Sequence, residues 1–301
     1  MKVVSFYRFL DLSEPESFRD ALQSQCEKRA VLGTILVASE GFNGTIAGEQ
    51  SAIEAVLVWI EKDCALDAPI DGRWTEAEEA PFHRMRVRHK KEIVTLGCPD
   101  IRPHEKTGNH VLPENWNALI DDPNVLVIDT RNHYEVDVGT FPGAIDPGTD
   151  NFRQFADFAS ELAETSKDSP LAMFCTGGIR CEKATALMLE LGFDEVYHLQ
   201  GGILAYLTEV SDAQNRWDGE CFVFDKRVAV DRDLAEGCYV QCHACRRPLS
   251  SDDIASADYR EGVSCPHCIN ELDDDRAERL EERKRQVDLA KQCGDKHIGP
   301  R

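Results

Sequence analysis

Apolar residues follow a strand period, then a helix period, then a strand period again through the first 95 residues. Val3 to Leu10 is rich in β-branched and aromatic side chains, and from Ser13 to about Ala30 the positions Phe18, Ala21, Leu22 and Cys26 fall at helix spacing. Val31 to Ala38 reads as a strand, Ser39 to Gly44 as a turn, and Thr45-Ile-Ala as a second short strand. Gln50 to Ile60 puts Ile53, Val56, Leu57 and Ile60 on one helical face, and Met85 to Val94 closes the series as a strand. The order β-α-β-β-α-β predicts an α+β, ferredoxin-like sandwich of two helices on an antiparallel sheet over residues 1–95.

Periodicity fades after Leu96, where Gly97, Pro99, Pro103 and Gly108 punctuate the chain, and residues 96–120 read as a linker. It returns at Val125-Leu-Val-Ile-Asp129, a continuous apolar run of the kind buried in parallel sheets. Phe141-Pro-Gly-Ala-Ile145 turns into another strand, Phe152 to Leu162 is helical, Leu171 to Phe174 is a strand, Cys181 to Leu191 a helix and Val196 to Leu199 a strand. This alternation predicts an α/β domain with a mostly parallel sheet over 121–212 and a ligand site at the carboxyl ends of its strands.

Residues 213–272 form a cysteine-rich module. Cys221 to Asp225 and Val228 to Val230 are short strand candidates, followed by Cys242-His-Ala-Cys245 and Cys265-Pro-His-Cys268 with 19 residues between the pairs. Two such knuckles offer four thiolates from two tight turns, the set a structural zinc ion needs, with no coordination position left open for catalysis. A redox dithiol is the alternative, and Cys238, His243 and His267 are spare candidate ligands. The tail, 273–301, is charge-rich and reads as a solvated helix with Glu281 and Arg285 at i, i+4.

Composition narrows the function classes. A net charge of −21 over 301 residues excludes a protein that simply coats nucleic acid, so an RNA site would be a local basic patch. No apolar run approaches a membrane span, and the start of the chain reads as a strand rather than a signal peptide. Twelve cysteines without a secretory signal read as metal ligands and reactive thiols of a cytoplasmic protein.

The chemistry centres on Cys175-Thr176-Gly177-Gly178-Ile179-Arg180, a loop between a strand and a helix. A helix N-terminus aims backbone N–H groups and a positive dipole end at the loop, Gly177 and Gly178 let it curl, and Arg180 adds a cation, all of which favour a thiolate at Cys175, ionised and reachable in a cup of amide hydrogens. The alternative, a small buried core cysteine, gives no role to the Gly-Gly and the Arg. Asp129 and Arg131, at the end of a neighbouring strand, are placed to order the loop or to cap their own turn. In the strand before the linker, Arg84, Arg86, Arg88 and Lys90 alternate onto one face, which suits a phosphate-binding stripe and equally a solvated outer face.

Cys175 to Arg180 resembles the rhodanese active-site loop, in which a cysteine carries sulfur as a persulfide; Asp129-Thr-Arg131, Tyr134-Glu135, Gly139-Thr-Phe-Pro-Gly-Ala144 and Leu199-Gln-Gly-Gly-Ile203 are similar to other marks of that fold. Thr140 departs from it, standing where histidine is commoner. Glu40-Gly-Phe-Asn-Gly-Thr45, Glu92-Ile-Val-Thr-Leu-Gly97, Cys175 to Lys183, Gly219 to Asp225 and Val263 to Cys268 together resemble the rhodanese-type tRNA uridine hydroxylases, whose first domain is acylphosphatase-like. The resemblance implies a tRNA partner, molecular oxygen as co-substrate, formation of 5-hydroxyuridine at the wobble position, and Cys175 as the essential cysteine. No flavin, haem or non-haem iron motif is recognisable. The rival readings are a plain sulfurtransferase and a non-catalytic RNA-binding adaptor.

Overall fold

In the computed structural model, residues 1–77, 80–225 and 227–293 are described, and the end of the charged tail, 294–301, lies outside them. The N-terminal domain runs β1 (Lys2–Phe9), α1 (Pro15–Lys28), β2 (Leu32–Ala38), β3 (Gly41–Gly48), α2 (Gln50–Asp63), β4 (Arg73–Glu76) and β5 (Met85–His89). Pro15 opens α1 at a position whose N–H would have no helical acceptor, and Phe18, Leu22 and Cys26 give the helix one buried face. Ile53, Val56, Leu57 and Ile60 do the same for α2. Both faces meet Val4, Phe6, Ile35, Phe42 and Ile46 of the sheet, where each fully buried side chain contributes about 1.5–3 kcal/mol.

Among the described residues the sheet order is β4-β1-β3-β2-β5. The first four strands pair antiparallel in the ferredoxin-like order, with two corrections to the sequence reading. The strand completing the sandwich is β4, whose polar sequence Arg73-Trp-Thr-Glu76 carries little apolar signal; β5, expected in that place, joins the opposite edge parallel to β2. β3 also begins earlier than Thr45, because Gly41 and Gly44 lie in the ladder against neighbouring backbone where a Cβ would collide, and the chain reverses at Ser39–Glu40 instead.

The second domain comprises β6 (Asn109–Val111), α3 (Pro113–Ile120), β7 (Leu126–Asp129), α4 (His133–Val136), β8 (Gly139–Thr140), α5 (Phe155–Ser166), β9 (Leu171–Phe174), α6 (Ile179–Glu190), β10 (Val196–Leu199) and α7 (Gly202–Glu209). Its parallel sheet has the order β6-β10-β9-β7 among the described residues. Phe155, Ala159, Ala184 and Met188 from α5 and α6 pack with Leu171 and Met173 of β9. Trp116, Ile203 and Tyr206 from α3 and α7 pack with Ala172 and Phe174, the alternate residues of that strand, and so cover the other face. The stretch 96–120 is therefore not a free linker: β6 is an edge strand of this sheet, Trp116 is fully buried, and Leu96 and Ile101 join its core.

The boundary expected at 213 also moves. β11 (Asp218–Gly219) pairs with β8, and the hairpin of β12 (Cys221–Phe222) and β13 (Ala229–Val230) sets Cys221, Val223 and Val230 into the core beside Phe174 and Ile203. The small module starts after it, with β14 (Val240–Gln241), β15 (Pro248–Leu249) and α8 (Ser251–Ala255). The tail helix α9 (Asp274–Gln292) docks through Arg260–Glu281 at 2.7 Å and Lys284–Glu261 at 3.2 Å; Arg285 pairs with Glu282 rather than with Glu281. Among the described residues no helix is long and apolar enough to cross a membrane.

Candidate active site

Buried β9 delivers Cys175 to the carboxyl edge of the sheet. The loop passes through Gly178 at φ +96°, a left-handed conformation that glycine adopts without strain, and the Gly178 N–H then donates to Cys175 Sγ at 3.1 Å. From the far side, the first amides of α7 donate to loop carbonyls, Ile203 N–H to Cys175 at 2.9 Å and Leu204 N–H to Thr176 at 3.1 Å. Gly202 makes this docking close: a Cβ there would collide with the Cys175 and Thr176 carbonyls.

Burial alone would raise the Cys175 pKa. The Cys181 thiol, the Arg180 guanidinium and the N–H groups of Cys181 and Gly178 outweigh it and bring the value down from 9.0 to about 6. Cys181 is held in its thiol form by burial and by the neighbouring Cys175 charge. Sequence reasoning did not require the two sulfurs to interact, and here each shifts the other's pKa. Arg180 is itself fixed by a buried carboxylate, Glu135 of α4, at 2.6 and 2.8 Å, a role that the Tyr134-Glu135 mark alone did not indicate.

The expected accessibility of the sulfur is not met, since Cys175 is only 1% exposed. The loop is clamped from two sides. Ile179 packs against Phe9, Ala38 and Ile93 of the N-terminal domain, and Tyr7 reaches over Gly178 to donate to Glu182 Oε1 at 3.3 Å. Opposite, Thr176 Oγ1 donates to the Phe222 carbonyl at 3.4 Å, and Phe224, 68% exposed, lies with its ring 5.7 Å from the Arg180 guanidinium. Gly177 stays partly exposed.

Asp129 and Arg131 form a fully buried ion pair at 2.6 Å that secures the Gly139–Thr140 turn: Arg131 donates to the Gly139 carbonyl and Thr140 Oγ1 to Asp129. Thr140 thus supplies a donor to this carboxylate. The residue between the pair reaches the loop itself, because Thr130 Oγ1 donates to the Phe174 carbonyl at 3.0 Å and lies 3.6 Å from Cys181 Sγ.

Three of the sequence motifs meet in one buried cluster. Lys183 of α6 donates to Glu40 at 2.7 Å, Glu92 at 2.5 Å and the Val94 carbonyl at 3.2 Å, while Glu40 accepts from Ile93 N–H and Glu92 from Leu96 and Gly97 N–H. The cluster ties the N-terminal domain to the helix that follows the reactive loop. Arg86 and Arg88 lie on the face of β5 opposite buried Met85 and Val87, and Arg84 and Lys90 flank the strand just beyond its ends; Arg86 is half-buried and the others are exposed.

In the small module Cys242, Cys245, Cys265 and Cys268 converge, all four sulfurs within 4.8 Å of one another. Cys245–Cys265 and Cys265–Cys268 are 3.7 and 3.6 Å apart. Four sulfurs about 2.3 Å from a tetrahedral ion stand roughly 3.8 Å apart, so the cluster suits a metal ion. The spare candidates stay outside the four-sulfur set, and His267 pairs with Asp253.

A family model described as a UPF0176 acylphosphatase-like domain matches residues 1–93, and a rhodanese-like domain model matches 112–209. Among solved structures, the rhodanese-like domain of an Anabaena sp. protein is 16% identical over 38% of this chain and 80% of its own, with a TM-score of 0.31. A rhodanese-related protein of Thermoplasma volcanium is 22% identical over 34% and 92%, with a TM-score of 0.27. An acylphosphatase of Coxiella burnetii is 18% identical over 29% and 90%, with a TM-score of 0.22. The chain thus combines a UPF0176 acylphosphatase-like domain with a rhodanese-like domain, an architecture that matches the UPF0176 rhodanese-type tRNA hydroxylase family.

Proposed function

We propose that the chain is a cytoplasmic tRNA-modifying enzyme that hydroxylates wobble uridine at C5, with molecular oxygen as co-substrate. The observation that carries this reading is the Cys175 sulfur, drawn toward its thiolate form near neutral pH in a chain of the family's architecture. A thiolate of this kind adds to C6 of uracil and makes C5 nucleophilic. C5 takes one oxygen atom and loses its proton, and the C6–S bond breaks to restore the ring. One C5–H becomes C5–OH, the second oxygen atom leaves as water, and a thiol reductant supplies two electrons. Gly178 N–H and Arg180 stabilise the charge that returns to the sulfur.

Two surface features support a nucleic-acid partner. Arg84, Arg86, Arg88 and Lys90 offer cations to a phosphate backbone in an otherwise acidic molecule. Phe224 presents an exposed ring beside Arg180, suited to stacking on a base. A base reaches the buried sulfur only when the 221–225 segment or the Tyr7 side gives way. The four cysteines of the small module hold a structural zinc ion, which supplies folding energy and no chemistry.

The match to a rhodanese-like domain favours a second reading, sulfur transfer through a Cys175 persulfide. Mass spectrometry of tRNA nucleosides from a deletion strain separates the two. The hydroxylase reading expects 5-hydroxyuridine and its derivatives to be restored by the wild-type chain and not by Cys175→Ser; restoration by Cys175→Ser overturns it. Unchanged nucleosides on deletion, with steady sulfur transfer from thiosulfate, establish the second reading. Unchanged nucleosides with intact tRNA binding and no transfer leave an adaptor.

A further inference from the structure

His110 and His198 are directly registered on the adjacent parallel strands β6 and β10, so their side chains leave the same face of the sheet. Their rings lie 4.1 Å apart between centroids. Glu182, in the first turn of α6, reaches the same point, with Oε1 3.1 Å from His110 Nε2. A ligating atom of each residue lies within 4.8 Å of the other two.

His198 is the anomaly. Its residue is 2% exposed, yet neither ring nitrogen has a hydrogen-bond partner. The Cys181 carbonyl is close enough to favour protonation of the ring, but it is not aligned for a hydrogen bond with either nitrogen. A buried polar group left unpaired costs about 1–3 kcal/mol, so a core imidazole in this state is expensive unless something else binds it. The donor set answers what that is: two imidazoles and a carboxylate suit a divalent first-row transition ion, which displaces any proton that His110 shares with Glu182.

We propose that His110, His198 and Glu182 form a second metal site, separate from the four cysteines, that takes a divalent first-row transition ion of the ferrous class and leaves coordination positions open. Metal–ligand bonds of about 2.0–2.2 Å set such donors roughly 3–3.5 Å apart, so the set closes by on the order of 1 Å as the ion enters. With the ion on one nitrogen of His198, the other is free to turn onto the Cys181 carbonyl, the usual second partner of a ligating imidazole. His110 is 44% exposed in its side chain, which gives the ion an entry path and the open positions access to solvent. Tyr7 donates to the same Glu182 oxygen, so the site borders the Cys175 loop. A set of two histidines and one carboxylate with open positions is the type that handles dioxygen; that role, unlike the binding, rests on the hydroxylase reading.

The test uses the full chain with zinc in the four-cysteine site, titrated with Co²⁺ as the probe and followed by visible absorption and metal analysis. One further equivalent is expected, with weak d–d bands and none of the intense thiolate-to-metal absorption that cobalt in the four-cysteine site would give. His110→Ala, at an exposed position that leaves the fold intact by circular dichroism, and Glu182→Gln are each expected to weaken that uptake at least tenfold. The absence of saturable uptake beyond the zinc site, or uptake equal in the wild-type and His110→Ala proteins, overturns the proposal. Because the readout is binding, this result stands apart from the nucleoside experiment: uptake without tRNA hydroxylation would retain the site and remove its oxygen role.

Discussion

Lys183 Nζ stands 2.5 Å from Glu92 Oε2, joining the helix behind the reactive loop to the segment that leaves the N-terminal sheet. Glu40 completes the cluster, and Lys183 is fully buried. Removing one partner of a buried ionic cluster leaves the others charged and unpaired, at a cost of about 3–5 kcal/mol. Lys183→Met is therefore expected to lower stability by that amount in urea unfolding, and to make residues 94–108 susceptible to proteolysis as the two domains part. Adding Glu40→Gln and Glu92→Gln should recover part of the loss; no recovery would mean that the charges are not what the cluster balances.

The reactive thiol should titrate well below an ordinary cysteine. Its folded pKa is depressed to about 6, so the thiolate is present above that pH and is lost as pH falls through it. Alkylation of Cys175 by iodoacetamide, followed peptide by peptide, should reach half its plateau rate near pH 6. Burial should keep that plateau far below the rate at exposed Cys238. Cys181→Ala removes the neighbouring thiol that helps to lower the Cys175 pKa, so the midpoint should rise; an unmoved midpoint would exclude Cys181 as a cause of the depression.

Phe224→Ala should act on substrate binding. The ring is 68% exposed and contributes little to the core, so thermal stability is expected to hold. Stacking on a base is worth about 1–3 kcal/mol, which translates to a rise in KM for tRNA of roughly 5- to 150-fold. A change in kcat alone would place the ring in the chemistry instead.

Replacing Arg84, Arg88 and Lys90 by glutamine should weaken tRNA binding without selecting among sequences. Each phosphate that is no longer neutralised by a cation reduces the slope of log K against log salt by about 1. An unchanged slope would return this face to the solvated surface that its exposure also allows.

Chelation of the metal should unfold the small module and spare the rest. The packed core there amounts to Leu249 and the cysteines, with Tyr259 beside them, whereas the α/β core does not draw on it. Hydrogen exchange after chelator treatment is expected to rise over residues 240–270 and to stay protected in β9 and α6. Uniform loss of protection would mean that the two units are one cooperative body.

Much of this was legible in the chain. Helix periods located α1 and α2, which each bury one regular face, an unbroken apolar run located β9 and with it the helix α6 that follows, and the spacing of the cysteines announced their convergence. β4 escaped because an edge strand of alternating exposure needs few apolar residues, and β6 because a three-residue edge strand has no period to detect. The Cys175 loop was readable because strand, glycines and cation are contiguous. Its supports were not: Glu135, Tyr7 and Phe224 come from three separate segments, and the motifs around Glu40 and Glu92 reveal their purpose only when Lys183 closes on them. For the same reason, two histidines and a carboxylate at positions 110, 182 and 198 present no motif, since their proximity depends on strand register.

The hairpin from Cys221 to Val230 and the indole of Trp217 have a bearing on how the reactive half could be handled. Trp217 lies against Arg131 and Phe141, and the hairpin fills the sheet face next to Phe174. A fragment cut at residue 209, where the rhodanese-like match stops, would bare an apolar trough and strip Arg131 of its aromatic cover. The Cys175 loop is thus not a portable cassette: transplanting it into another scaffold means carrying the chain through Val230.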